Sequence, residues 1–126
     1  MALMPLELDD ITDANLIRAY APGQFTVNLE VITSSIIIMP DQLEANWAPT
    51  KISDLDTGHI EIIIDMAPEV VLLGTGKVLQ FPEQGILTIF NQHAIGVEVM
   101  DTSAACRTYN LLVAEGRNVA AGLLII

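Results

Sequence analysis

At 126 residues the chain has the length of one ordinary domain, and folding at that size hides about two thirds of the unfolded surface, enough for a real core. Hydrophobic residues make up 52% and charged residues only 17%, which excludes a disordered chain. Five Lys and Arg against sixteen Asp and Glu leave a net charge of -11, which opposes approach to nucleic acid or to anionic lipid.

The acids are unevenly spread. Residues 1–65 carry 11 acids and 2 bases, whereas residues 66–126 carry 5 acids and 3 bases, so an anion site belongs to the second half. One cysteine forbids an internal disulfide, and with His59 and His93 as the sole histidines there is no Cys/His zinc spacing. No metal site and no cofactor is expected. The N-terminus lacks the basic and long apolar regions of a secretory signal, and runs such as SSIIIMP and VAAGLLII fall short of the roughly 20 residues of a membrane helix. The expectation is a cytoplasmic protein with no direct membrane insertion.

Residues 1–23 read as an acidic N-terminal arm ending in YAPG, where Pro22 and Gly23 fit the central positions of a type II turn. Residues 24–126 read as a single domain. Phe25 and Val27 alternate with polar neighbours, and β-branched runs follow at 31–33 and 36–39, predicting an antiparallel meander. Asn28 accepts φ > 0, but Leu29 stands where a tight hairpin favours Gly. Pro40 is expected to end this section of sheet, with Trp47 and Pro49 in an extended stretch over apolar surface.

Between 57 and 66 the pattern is ambiguous: Ile60, Ile62 and Ile64 alternate like a strand, and Ile60, Ile63 and Ile64 fit one helix face. The continuous apolar run at Val70 to Leu73 looks like a buried parallel strand, which needs a crossover, so a helix at 57–66 is chosen. The rest alternates: strand 70–73, helix 82–93, strand 96–100, helix 103–115, strand 119–124. Pro82 suits a first helical turn, and Gly96 and Gly116 fall just past their helices. The fold class is therefore α/β, a single domain with a mixed central sheet: an antiparallel β meander followed by a β-α-β-α-β parallel part with flanking helices.

Parallel sheets place ligands at the carboxyl ends of their strands. There, Gly74, Thr75, Gly76 and Lys77 offer backbone N–H groups and a cation to an anion, although neither the Walker A nor the dinucleotide spacing is present. On the next edge Asp101 or Thr102 would cap a helix carrying Cys106, Arg107 and Asn110. A helix start and Arg107 favour a thiolate, but cysteine chemistry needs a base, and both histidines fall elsewhere. Cys106 thus reads first as a packing residue. Gly74, Thr75, Gly76, Lys77, Thr102, Cys106, Arg107 and Asn110 form a candidate anion or ligand pocket, and no catalytic residue is assigned.

Leu72 to Gly76, LLGTG, and the string MDTSAACRTYN from Met100 to Asn110 resemble the small α/β family that includes the mitochondrial complex I (NADH:ubiquinone oxidoreductase) assembly factor 3 and many bacterial and archaeal proteins of unassigned function. Looser signals at Phe25 to Asn28, Ile36 to Pro40 and Trp47 extend the likeness over about residues 20–124. The resemblance implies an antiparallel meander beside a helix-flanked parallel part, no bound cofactor and, for the mitochondrial members, a non-enzymatic role: binding another assembly factor and a partly built membrane-complex arm. This chain departs from the pattern at Leu29, where Asn-Gly is common, and in its scarcity of basic residues. The functional expectation is a non-catalytic protein-interaction or assembly-factor-like domain with a protein partner and room for a homo-oligomer. The alternative is a binder of, or enzyme on, a small carboxylated or phosphorylated metabolite.

Overall fold

A computed structural model describes residues 3–5 and 13–126. Among them two sheets form. A four-stranded antiparallel sheet has the order β1 (Met4–Pro5), β2 (Ile17–Ala21), β3 (Gln24–Val27), β4 (Glu30–Ile32). The second sheet contains β5 (Ser35–Met39), β6 (Gln42–Trp47), β7 (Val70–Gly74), β8 (Gly96–Met100) and β9 (Val119–Leu123), in the order β6-β5-β9-β7-β8. β7 is parallel to β8 and β9, while β5 is antiparallel to β6 and β9, so this sheet is mixed. Three α-helices complete the domain: α1 (Thr57–Asp65), α2 (Gln84–Gln92) and α3 (Thr102–Ala114).

The central strands β5, β9 and β7 of the five-stranded sheet are buried on both faces, which explains their unbroken apolar runs, whereas the edge strands β6 and β8 are partly exposed. Side-chain alternation sends Ile36, Ile38 and Leu72 into one core with α3 and the four-stranded sheet. Ile37, Val71 and Leu73 go into the other core, beneath α1 and α2. The expected single α/β domain with a meander and a helix-flanked parallel part is present, the meander being divided between two sheets.

Several details differ from the reading of the sequence. Pro40 does not end the sheet: the chain turns at Pro40 and Asp41 and returns as β6, which pairs with β5 along Ser35 to Met39. Trp47 is the last residue of that strand, 2% exposed. Within the stretch read as an arm, Ile17–Ala21 is a buried strand paired with β3; residues 1–2 and 6–12 of it lie outside the described residues. Gly23 takes the positive φ (82°) expected of its turn. α2 starts at Gln84 rather than Pro82, with Glu83 as N-cap. Ala94, not Gly96, is the residue past α2 that turns left-handed, with φ 57°.

The β3–β4 hairpin also shows why Leu29 is tolerated. Asn28 and Leu29 are its two central residues, and of these Asn28 alone has positive φ (54°), as a type II′ turn requires. Leu29 is fully exposed. The Asn28 amide accepts from Leu16 N–H (3.1 Å) and donates to the Asn15 amide oxygen (3.0 Å), a role that Gly could not fill.

Candidate functional site

Because β7 and β8 run parallel in register, with Gly74 opposite Met100, the loop after β7 and the start of α3 finish at one rim. Asp101 is the N-cap of α3, in extended conformation, and its carboxylate accepts from Ala104 N–H at 2.9 Å. Thr102 is the first helical residue. Its hydroxyl accepts from Gly76 N–H (2.8 Å) and donates to Leu124 C=O (2.8 Å), while Thr102 N–H donates to Gly76 C=O (2.9 Å). Gly74 has to be glycine for this weld to close: a Cβ there would lie 3.0 Å from the Thr102 Cα and Oγ1 and from Leu123 Cδ2. Thr75 folds the loop that follows, donating to Val78 C=O (2.7 Å) and accepting from Gln80 N–H (3.1 Å).

The structure thus brings Gly74, Thr75, Gly76 and Thr102 into direct contact. The other four candidates point elsewhere. Lys77 is exposed at the start of the loop. Cys106 is fully buried against the four-stranded sheet, and its thiol is pushed up to about 12 by burial, against which the nearby Arg107 charge is the weaker influence. It is a protonated packing residue at neutral pH. Arg107 is exposed and donates through Nη1 to the Tyr20 hydroxyl at 3.1 Å. Asn110 lies two turns beyond Thr102 and clamps β2, accepting from Ile17 N–H (3.0 Å) and donating to Ile17 C=O (2.8 Å). Its neighbour Tyr109 donates to Asn15 C=O at 2.8 Å, and burial raises its hydroxyl pKa well above the ordinary value. Tyr109 and Asn110 therefore fasten the four-stranded sheet to α3.

The histidines take structural places. His59 lies in the first turn of α1, where its N–H donates to the Asp56 carboxylate (3.0 Å) and its Nδ1 accepts from Asp56 N–H (3.2 Å). His93, the C-cap of α2, has Nδ1 3.0 Å from Ile89 C=O. Among the described residues no group of three or more His, Cys, Asp and Glu side chains could hold a metal ion.

Sequence reasoning overlooked a second feature of the same rim. After the Thr75 turn, Val78, Leu79 and Phe81 project outward, 56%, 51% and 67% exposed. They are three of the ten exposed large hydrophobic residues among those described, gathered within four positions. Scattered exposed apolar side chains are normal, whereas a cluster marks a surface that another molecule covers. Phe81 leads into a cleft of about 250 Å³, lined also by Ile52, Ser53, Leu55, Pro82, Glu83 and Ile86. One wall is the 3-10 turn Ile52–Asp54 before α1, and the other is the start of α2. The signal for it was the apolar content of KVLQFP, a stretch bounded by turn residues where polar side chains are the rule.

Two sheets joined through α3, three helices and an apolar rim define a small α/β domain. The chain belongs to the family of proteins of unknown function DUF498/DUF598, whose family model matches residues 17–124. It is 30% identical over 119 residues to a Francisella tularensis protein named 13 kDa major membrane protein, covering 94% of this chain and 97% of that one. It is 27% identical over 117 residues to NADH dehydrogenase [ubiquinone] 1 alpha subcomplex assembly factor 3 of Xenopus tropicalis. That match covers 91% of this chain and 63% of the Xenopus protein, so the chain spans less than two thirds of that relative's length. In structure it is similar to a Bordetella parapertussis protein solved by crystallography, with a TM-score of 0.85, 34% identity, and 92% of this chain and 99% of that chain covered. Among the described residues no helix is long and apolar enough to cross a membrane.

Proposed function

We propose that this domain is a non-catalytic interaction module that helps to assemble or hold a multi-protein complex. The observation that carries this reading is the kinship, over most of the chain, with proteins named complex I assembly factor 3. The exposed cluster of Val78, Leu79 and Phe81 supports it, since such a patch is stabilised by a covering partner. A cytoplasmic location fits a lone cysteine kept as a buried thiol. The small-anion alternative is not favoured, because Gly76 N–H, one of the amides it would use, already donates to the Thr102 hydroxyl.

The test is affinity purification of the tagged chain from its native cells, followed by mass spectrometry. A heterologous protein recovered in a constant ratio to the chain is the expected result. Recovery of nothing but the chain itself would overturn the reading.

A further inference from the structure

Resting on the interaction-module reading, we propose that the rim formed by Val78, Leu79 and Phe81 and the cleft beside it is the docking surface. Its occupant is a partner segment in which an apolar side chain is flanked by Lys or Arg. Three features point to that chemistry. The cleft, at about 250 Å³, falls below the ~300–1,000 Å³ typical of small-molecule sites, so it suits one or two inserted side chains. Its lining sets the apolar side chains of Ile52, Leu55, Phe81 and Ile86 beside the polar Ser53 and Glu83.

Its rim is acidic. Glu83 lines the opening and is exposed; as N-cap of α2 it makes no side-chain capping bond, so its carboxylate is not committed to the helix. Asp54 stands between the lining residues Ser53 and Leu55, kept ionised by donors from Thr50 and Lys51. Asp56 follows, its side chain 69% exposed. The wall formed by residues 52–55 also belongs to the half of the chain that carries 11 acids and 2 bases.

Charge also separates the candidate occupants. A second copy would bring another -11 to the same surface, and anionic lipid would be repelled in the same way. A cationic apolar segment gains on both counts: its apolar side chain leaves water, and its flanking charges meet carboxylates at a partly dry rim. Phe81 would be the aromatic anchor of such a contact.

The experiment compares the wild-type pull-down with Phe81→Ser, Glu83→Lys and the control Leu111→Ser, each confirmed folded by circular dichroism. A photo-crosslinking amino acid placed at position 79 then maps the contact on the partner. Expected are a loss of about tenfold in partner recovery for Phe81→Ser, a smaller loss for Glu83→Lys that mirrors the loss in high salt, and none for Leu111→Ser. The crosslinked partner peptide should contain apolar residues beside Lys or Arg. A partner recovered by wild type and retained fully by Phe81→Ser and Glu83→Lys overturns the surface and leaves the interaction-module reading standing. So does a crosslink to an acidic segment, to a second copy, or binding of wild type to zwitterionic vesicles that Phe81→Ser abolishes. No partner in the wild-type sample overturns both.

Discussion

At Gly122 there is room for a hydrogen and nothing larger. A Cβ at this position in β9 would meet Trp47 at 2.9 Å (Cη2) and 3.0 Å (Cζ3) and Ile63 Cδ1 at 3.2 Å. The indole cannot readily yield: it is buried, its Nε1 donates to His59 C=O at 3.3 Å, and its ring meets the His59 ring edge-on at 6.5 Å. Overpacking of this kind costs about 1–3 kcal/mol. Gly122→Ala is therefore expected to lower the melting temperature by roughly 5–10 °C, given several degrees per kcal/mol for a domain of this size. Adding Trp47→Phe, which removes the clashing ring atoms, should recover part of the loss. Differential scanning calorimetry of wild type and the two variants checks this, and an unchanged single mutant would mean that the ring moves freely.

Helix ends in this protein repeat one device with different residues. After α3, Gly116 turns left-handed (φ 78°), and the N–H groups of Gly116 and Arg117 close onto Val113 and Leu112 C=O. After α2 the same closure is made by Ala94 and Ile95 onto Asn91 and Phe90, with Ala94 at φ 57°. An L-residue pays about 1–2 kcal/mol for that conformation, whereas glycine costs roughly 0.5–1 kcal/mol of chain entropy. The first cost is larger, so Ala94→Gly should stabilise by about 0.5–1 kcal/mol, read as a higher urea midpoint at unchanged slope. A lower midpoint would contradict this account of the turn. These ends also show what could be read from the chain. The α3 stop was legible through Gly116, while the α2 stop was obscured because Ala94 bears no turn signature and Gly96 lies nearby. α1 was legible through connectivity: the parallel β7 demanded a crossover, and in the fold Ile60 and Ile63 are buried while Ile62 is 42% exposed, a helical pattern. β6 was missed because its sequence, QLEANW, carries no β-branched residue and belongs to an edge strand. At the rim, the meeting of the glycine loop with Thr102 was legible from strand order. That Thr102 would occupy Gly76 N–H with its own hydroxyl was not, because it depends on a few tenths of an ångström.

The molecule as a whole carries a charge of -11, and two of its acids, Asp54 and Glu69, are held below the ordinary carboxylate range by hydrogen bonds. Asp54 is held below its ordinary pKa chiefly by the Thr50 N–H, with the Thr50 hydroxyl and Lys51 N–H also donating. Glu69 is held low by the Asn118 N–H (2.9 Å) and by Arg117 (3.3 Å), joining the loop before β7 to the loop before β9. A carboxylate whose pKa is depressed on folding contributes stability that is complete above its unfolded value, about 4, and is lost as pH falls through the lower folded value. Below pH 4 both contributions should fade, even as protonation relieves the general repulsion among the acids. Comparison with neutral variants separates the two effects. Asp54→Asn and Glu69→Gln should melt below wild type at pH 7, and the gap should narrow progressively as the pH falls below about 4. A gap that does not narrow at all through the acid range would assign the role of these side chains to shape rather than charge. At pH 7, raising sodium chloride from 20 to 300 mM, roughly from a 20 Å to a 6 Å screening length, should lift the wild-type melting temperature, because repulsion among the surplus acids is the term that salt weakens most. A fall instead would mean that attractive pairs such as Arg117 with Glu69 outweigh the excess of like charge.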